Sequence, residues 1–236
     1  MTYSEFHLAF NIQLDKTDIV GYPSFLQEEV DFWLNKAIVQ FVKTRYSGLN
    51  TYQTGFQQSE KRDNDLRGTI REYNQVFIAF ETSIDIIRPV DFWFGVGEDV
   101  TVASTDPHWP YTTVNNVNIP TPKVVDVLEC TIENFTSRKE NPLSEHRLHR
   151  NTCKPLRLSE LNNIHLETDG SYYFTNYRMT YIGTPEWIDF RNPTLEYSYI
   201  PEHAHDEIVS IAVALALENV SEPRFQTQNA LNQIME

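Results

Sequence analysis

Large apolar residues recur at helical spacing over residues 2–14, where Phe6, Ala9, Phe10 and Leu14 follow a Thr2-x-x-Glu5 capping box. This predicts a short amphipathic helix. After the break at Gly21-Tyr22-Pro23, Ser24 and Gln27 open a longer pattern of Phe25, Leu26, Val30, Trp33, Leu34, Ala37, Ile38, Phe41 and Val42. Acids at its start (Glu28, Glu29, Asp31) and bases toward its end (Lys43, Arg45) complement the helix dipole, and Gly48 supplies a stop. Residues 56–72 mix charges of both signs with only Phe56, Leu66 and Ile70 as large apolar positions, which predicts a third helix with a mostly solvated face.

From Gln75 the pattern becomes β-branched and aromatic, so strands are predicted from there, and the hairpin-like spacing points to antiparallel pairing. Residues 123–135 and 172–182 read as long strands, the second with aromatic residues on alternate positions. Residues 103–122 hold four prolines amid Thr and Asn and read as an excursion from the sheet; residues 137–163 contain a second long loop. Residues 202–220, after Pro201, are apolar around most of a helical circumference, which predicts burial on more than one side. Helices, then strands, then a helix give an α+β fold. The predicted organisation is a helical region 1–74, a β-rich region 75–200, a helix 201–220 packing on the N-terminal helices, and an extended tail 221–236.

A chain of 236 residues suffices for one sizeable core or two small ones. Its 33 acids against 19 bases, a net charge of −14, argue against a protein built to grip phosphate backbones. The two cysteines, Cys130 and Cys153, form no disulfide framework, and with no leader at Met1 a reducing cytoplasm is expected. The longest apolar run, residues 211–217, is too short to cross a bilayer, so no membrane partner is expected.

No Gly-x-Ser-x-Gly, Walker A, dinucleotide-binding or His-Glu-x-x-His motif is present. His146, His149 and Cys153 have metal-ligand spacing, but Arg147 and Arg150 flank them and no clear fourth ligand stands nearby, so a polar loop is the preferred reading and no metal or cofactor is expected. His203, His205, Asp206 and Glu207 open the last helix, where acids serve caps and the dipole. Residues 138–157 carry six bases (Arg138, Lys139, Arg147, Arg150, Lys154, Arg157) and two acids, which reads equally as a solvated loop or as a docking arm for an acidic surface. Aromatic residues make up 13% of the chain, and Trp109 and Trp187 sit beside prolines, as interface residues do.

Residues 30–48 (VDFWLNKAIVQFVKTRYSG), 56–67 (FQQSEKRDNDLR) and 199–228 (YIPEHAHDEIVSIAVALALENVSEPRFQTQ) resemble the neck, or head-to-tail connector, ring proteins of tailed bacteriophages, most closely those of crAss-like phages infecting Bacteroidota. The resemblance implies a non-enzymatic virion protein made in the host cytoplasm, forming a homo-oligomeric ring of twelve subunits. Such a ring joins the portal protein to other neck or tail rings and lets DNA pass through its channel without specific binding. On that reading Trp33, Phe41, Trp109, Trp187, Arg138, Arg147, Arg150 and Phe225 are candidate interface residues, and the tail 221–236 orders on a neighbour or the portal, or else packs on its own domain. A carbohydrate- or host-binding module using the aromatic loops, and a hydrolase using His146 or His203, are the other function classes left open.

Overall fold

A computed structural model describes residues 1–15, 25–47, 60–114, 117–150 and 152–219. The fold is α+β, and the chain divides into two compact units. One comprises Met1–Ile70 with Thr184–Glu236, the other Arg71–Gly183.

The first unit is helical, with α1 (Tyr3–Asp15), α2 (Gln27–Ser47), the short α3 (Glu60–Leu66) and α5 (His205–Asn219). The Thr2/Glu5 box forms as predicted, the Thr2 amide donating to Glu5 Oε2 (2.8 Å) and the Glu5 amide to Thr2 Oγ1 (3.3 Å). Ser24 and Gly48 lie outside the described residues, as does the tail 221–236 with Phe225. Helix α5 packs on both α1 and α2 and buries Ile208, Val209, Ala212, Val213, Ala216 and Leu217, the two-sided burial expected of it.

The third helix ends earlier and is drier than predicted; residues 56–59 of the predicted span, with Phe56, lie outside the described residues. It ends at Leu66, a 3-10 turn spans Arg67–Thr69, and Arg62, Asp65, Leu66 and Thr69 are all buried. Residues 184–200, read from sequence as part of the β region, belong to the helical unit. Backbone tethers account for this: Asn35 brackets Ile188, giving Nδ2–H to its carbonyl (2.9 Å) and taking its amide on Oδ1 (2.8 Å). Asp31 accepts the Phe190 amide (3.1 Å), and Tyr197 packs edge-on against Phe6.

The second unit holds β1 (Ile70–Glu81), β2 (Ser83–Ile87), β3 (Phe92–Ala103), β4 (Tyr111–Val114), β5 (Val117–Pro120), β6 (Lys123–Val125), β7 (Leu128–Cys130), α4 (Ile132–Glu140), β8 (Leu156–Ser159), β9 (Asn163–Glu167) and β10 (Tyr173–Gly183). Two four-stranded sheets, ordered β1-β10-β3-β6 and β2-β9-β8-β7, share one core that includes Ile84, Ile86, Val100, Val102, Trp109, Ile164, Leu166, Phe174 and Tyr177. Pairing is antiparallel in β3/β10, β3/β6, β2/β9 and β8/β9; β7 and β8 run parallel.

Three sequence expectations change here. Strand pairing is largely non-local, as in Ser83↔Glu167 and Tyr173↔Ala103, rather than between sequence neighbours, and the first strand starts at Ile70. Residues 123–135 are two three-residue strands and the start of α4, because Thr131 stops the extended chain: its amide donates to Asn134 Oδ1 (2.9 Å) and nucleates a helical turn. The predicted loop 103–122 contains the β4–β5 hairpin, a separate two-stranded sheet, and the predicted loop 137–163 contains the end of α4 and all of β8.

Candidate functional site

The basic segment 138–157 lies in the β unit, and its charges are mostly engaged there. Lys139 pairs with Glu167 (2.6 Å), Lys154 with Glu145 (2.9 Å), and Arg157 with Glu98 (2.5 Å) and Glu129 (3.2 Å). Arg138 donates to the Glu129 carbonyl, and Arg147 donates to the Asn141 and Lys139 carbonyls at the end of α4, where unpaired carbonyls accept cations well. Arg150 is exposed in the left-handed region (φ 58°). Most of these charges thus have partners inside the β unit, and the segment forms a largely ion-paired wall. That wall borders a cleft of about 680 Å³ lined by Lys123, Val124, Asp126, Leu143, Arg147 and Lys154 among others.

The three spaced metal-ligand candidates do not converge. His146 is buried, His149 is exposed, and the buried Cys153 thiol is pushed up to about 12 by desolvation. Among the described residues no group of three or more His, Cys, Asp or Glu could hold a metal ion.

The acids and histidines at the start of α5 face a partner that sequence reading left out. Arg45, buried on α2, donates through Nε to Asp65 (2.9 Å) and through its second terminal nitrogen to Glu207 (2.6 Å), with its guanidinium over the Phe41 ring. His203 reaches the other oxygen of Asp65 (2.8 Å). His205 is buried, its Nε2 against the Ile200 carbonyl (2.8 Å) and its Nδ1 against the terminal amine (3.2 Å). Burial raises the Glu207 carboxyl above its ordinary range, Arg45 opposing, and lowers the His205 imidazole. This network clamps α2, α3 and α5 together.

Of the four aromatic anchors, Trp33, Phe41 and Trp109 are buried within their own units, which corrects the interface reading for them. Trp33 and Phe41 lie on the buried face of α2, and Trp109 inserts into the β core, its indole N–H donating to the Thr121 carbonyl (2.9 Å). Trp187 remains 55% exposed.

The large exposed apolar surface lies elsewhere. Along β1, Val76, Ile78 and Phe80 are 68%, 99% and 74% exposed, on alternate positions of one face. β1 is the edge of its sheet, and Phe80 packs edge-on against Tyr173 of β10. β2, which follows it, is the edge of the other sheet. The β4–β5 hairpin also exposes Tyr111, Val117 and Ile119. Sequence reading missed this surface because Val76 to Phe80 is an unbroken apolar run, which resembles a strand buried on both faces, whereas its alternate residues Val76, Ile78 and Phe80 stand exposed.

No protein-family model matches this sequence, and no curated protein matches it either.

Proposed function

We propose that the chain is a structural ring subunit of a phage neck, joining the portal vertex to the tail and continuing the DNA conduit, with the virion as its place of work. The observation that carries this reading is the row Val76, Ile78 and Phe80 standing in solvent along an open sheet edge. An unprotected apolar edge strand is a template for pairing with another chain, and soluble monomers blunt such edges with charge or proline. This one carries no charged residue between Glu72 and Glu81.

The clamped helical unit supplies a rigid body of the kind a ring needs, and the resemblance of residues 30–48, 56–67 and 199–228 to connector rings supplies the setting. The −14 charge fits a conduit that repels DNA rather than trapping it. Mechanism on this reading is geometric: identical copies close around an axis and stack on neighbouring rings. The test is analytical ultracentrifugation and electron microscopy of the purified chain, alone and mixed with the capsid vertex component. Closed rings are expected; lone protomers at high concentration in both samples would overturn the proposal.

A further inference from the structure

Two features of the β unit each lack what the other offers. The β4–β5 hairpin is a two-stranded sheet with no third strand among the described residues, paired Tyr111↔Pro120 to Val114↔Val117, and such a hairpin alone is marginal in water. Its base is fixed: Trp109 is buried in the core, its indole and the Pro110–Thr121 backbone pair close the neck of the arm, and Tyr111 donates to the Asp106 carbonyl. Beyond that base, Thr112, Thr113, Val117, Asn118 and Ile119 are exposed, so both faces of the arm are wet. Strand β1, conversely, has β10 on one side and no strand on the other among the described residues.

The two are alike in electrostatics. Residues 109–122 and 73–80 contain no charged side chain, in a chain of net charge −14. Two copies of so acidic a chain repel wherever their charged surfaces meet, and a contact between charge-free elements avoids that cost. A basic partner or a nucleic acid finds no complementary charge on either element. Dimensions agree as well: the four residues of β5 span roughly 13 Å and Val76 to Phe80 roughly 17 Å.

Resting on the ring reading above, we propose that the β4–β5 arm of one copy adds to the β1 edge of the next, β5 lying against β1. In that register Val117 and Ile119 form a second apolar row beside Val76, Ile78 and Phe80, the cross-strand arrangement that stabilises sheets. Arm and edge are different surfaces, so the contact is head-to-tail, and a head-to-tail contact closes into a ring when its rotation allows. The four-residue strand makes each contact weak by itself, below the roughly 800 Å² per partner of a stable pair, so closure of the ring holds the assembly.

Full-length Ile78→Arg and Ile119→Asp should each weaken self-association about tenfold or more in sedimentation, with far-UV circular dichroism and melting unchanged. As a second probe, Ile78→Cys protein mixed with Ile119→Cys protein and mildly oxidised should give a disulfide-linked heterodimer on a denaturing gel. Parent rings that persist in both charged variants, with no such heterodimer, overturn the arm-to-edge contact and leave the ring reading standing. The heterodimer without closed rings overturns the ring reading and keeps the contact. Lone protomers of the parent chain with no heterodimer overturn both.

Discussion

Replacing Arg45 with Met tests the buried clamp of the helical unit. Arg45 is 1% exposed and serves two carboxylates, Asp65 and Glu207, that are themselves buried or nearly so. Methionine keeps the aliphatic volume and the Phe41 contact but strands the anions. Removing one partner of a buried ion pair costs about 3–5 kcal/mol, because the remaining charge loses its compensation in a poorly solvated site. Two features pull this case toward the lower end, about 3 kcal/mol: His203 still holds one oxygen of Asp65, and Glu207, raised by burial, can escape by protonating.

The pH dependence follows. Without Arg45 to oppose desolvation the Glu207 carboxyl rises further, so the folded variant takes up a proton before the unfolded chain does. Its deficit relative to the parent shrinks as pH falls from 7 toward 5. Adding Asp65→Asn and Glu207→Gln should recover most of the loss. Urea unfolding, with amide exchange of α2 and α5 to isolate the helical unit, reads both effects. An Arg45→Met variant within 1 kcal/mol of the parent at pH 7, or one whose deficit ignores pH, refutes the clamp.

Gly68→Ala should destabilise the helical unit by about 1–3 kcal/mol, since a Cβ there would stand 2.5 Å from the Tyr199 carbonyl oxygen, whereas Gly97→Ala, with nothing within 4 Å, should leave melting unchanged. His205 and His146 are both lowered by burial, so the unfolded chain protonates first as pH drops below about 6.5 and stability falls by up to about 1.4 kcal/mol per pH unit for each. Because the raised carboxyls of Glu98 and Glu207 act in the opposite sense, the check compares His205→Gln with the parent at each pH, and the variant should show the shallower decline. Trp109→Phe should lose about 1 kcal/mol with its bond to Thr121, and Trp109→Ala about 3–5 kcal/mol, in urea unfolding of the β unit.

Elements whose pattern is long and locally determined were legible in the sequence. The apolar faces of α1 and α2, the all-round apolarity of α5 and the aromatic alternation of β10 announce themselves within one window. What stayed hidden depends on partners far along the chain. Arg45 reads as a cation at a helix end, and only the fold brings Asp65 and Glu207 to it from 20 and 162 residues away. Trp109, beside two prolines, reads as exposed until the core closes over it. Helix α4 is invisible to periodicity because none of its residues is buried, so it has no apolar face to betray it. The basic segment looked available because ion pairing within the unit, Lys139 to Glu167 for example, has no signature in composition.

The β unit begins and ends on strands that lie side by side. Arg71 sits against Gly183 and Phe80 against Tyr173, so β1 carries the chain out of the helical scaffold and β10 carries it back through the same doorway, about one strand spacing wide. Residues 71–183 are therefore one continuous insert, opened and closed by neighbouring strands, between the two stretches of chain that together build the helical unit.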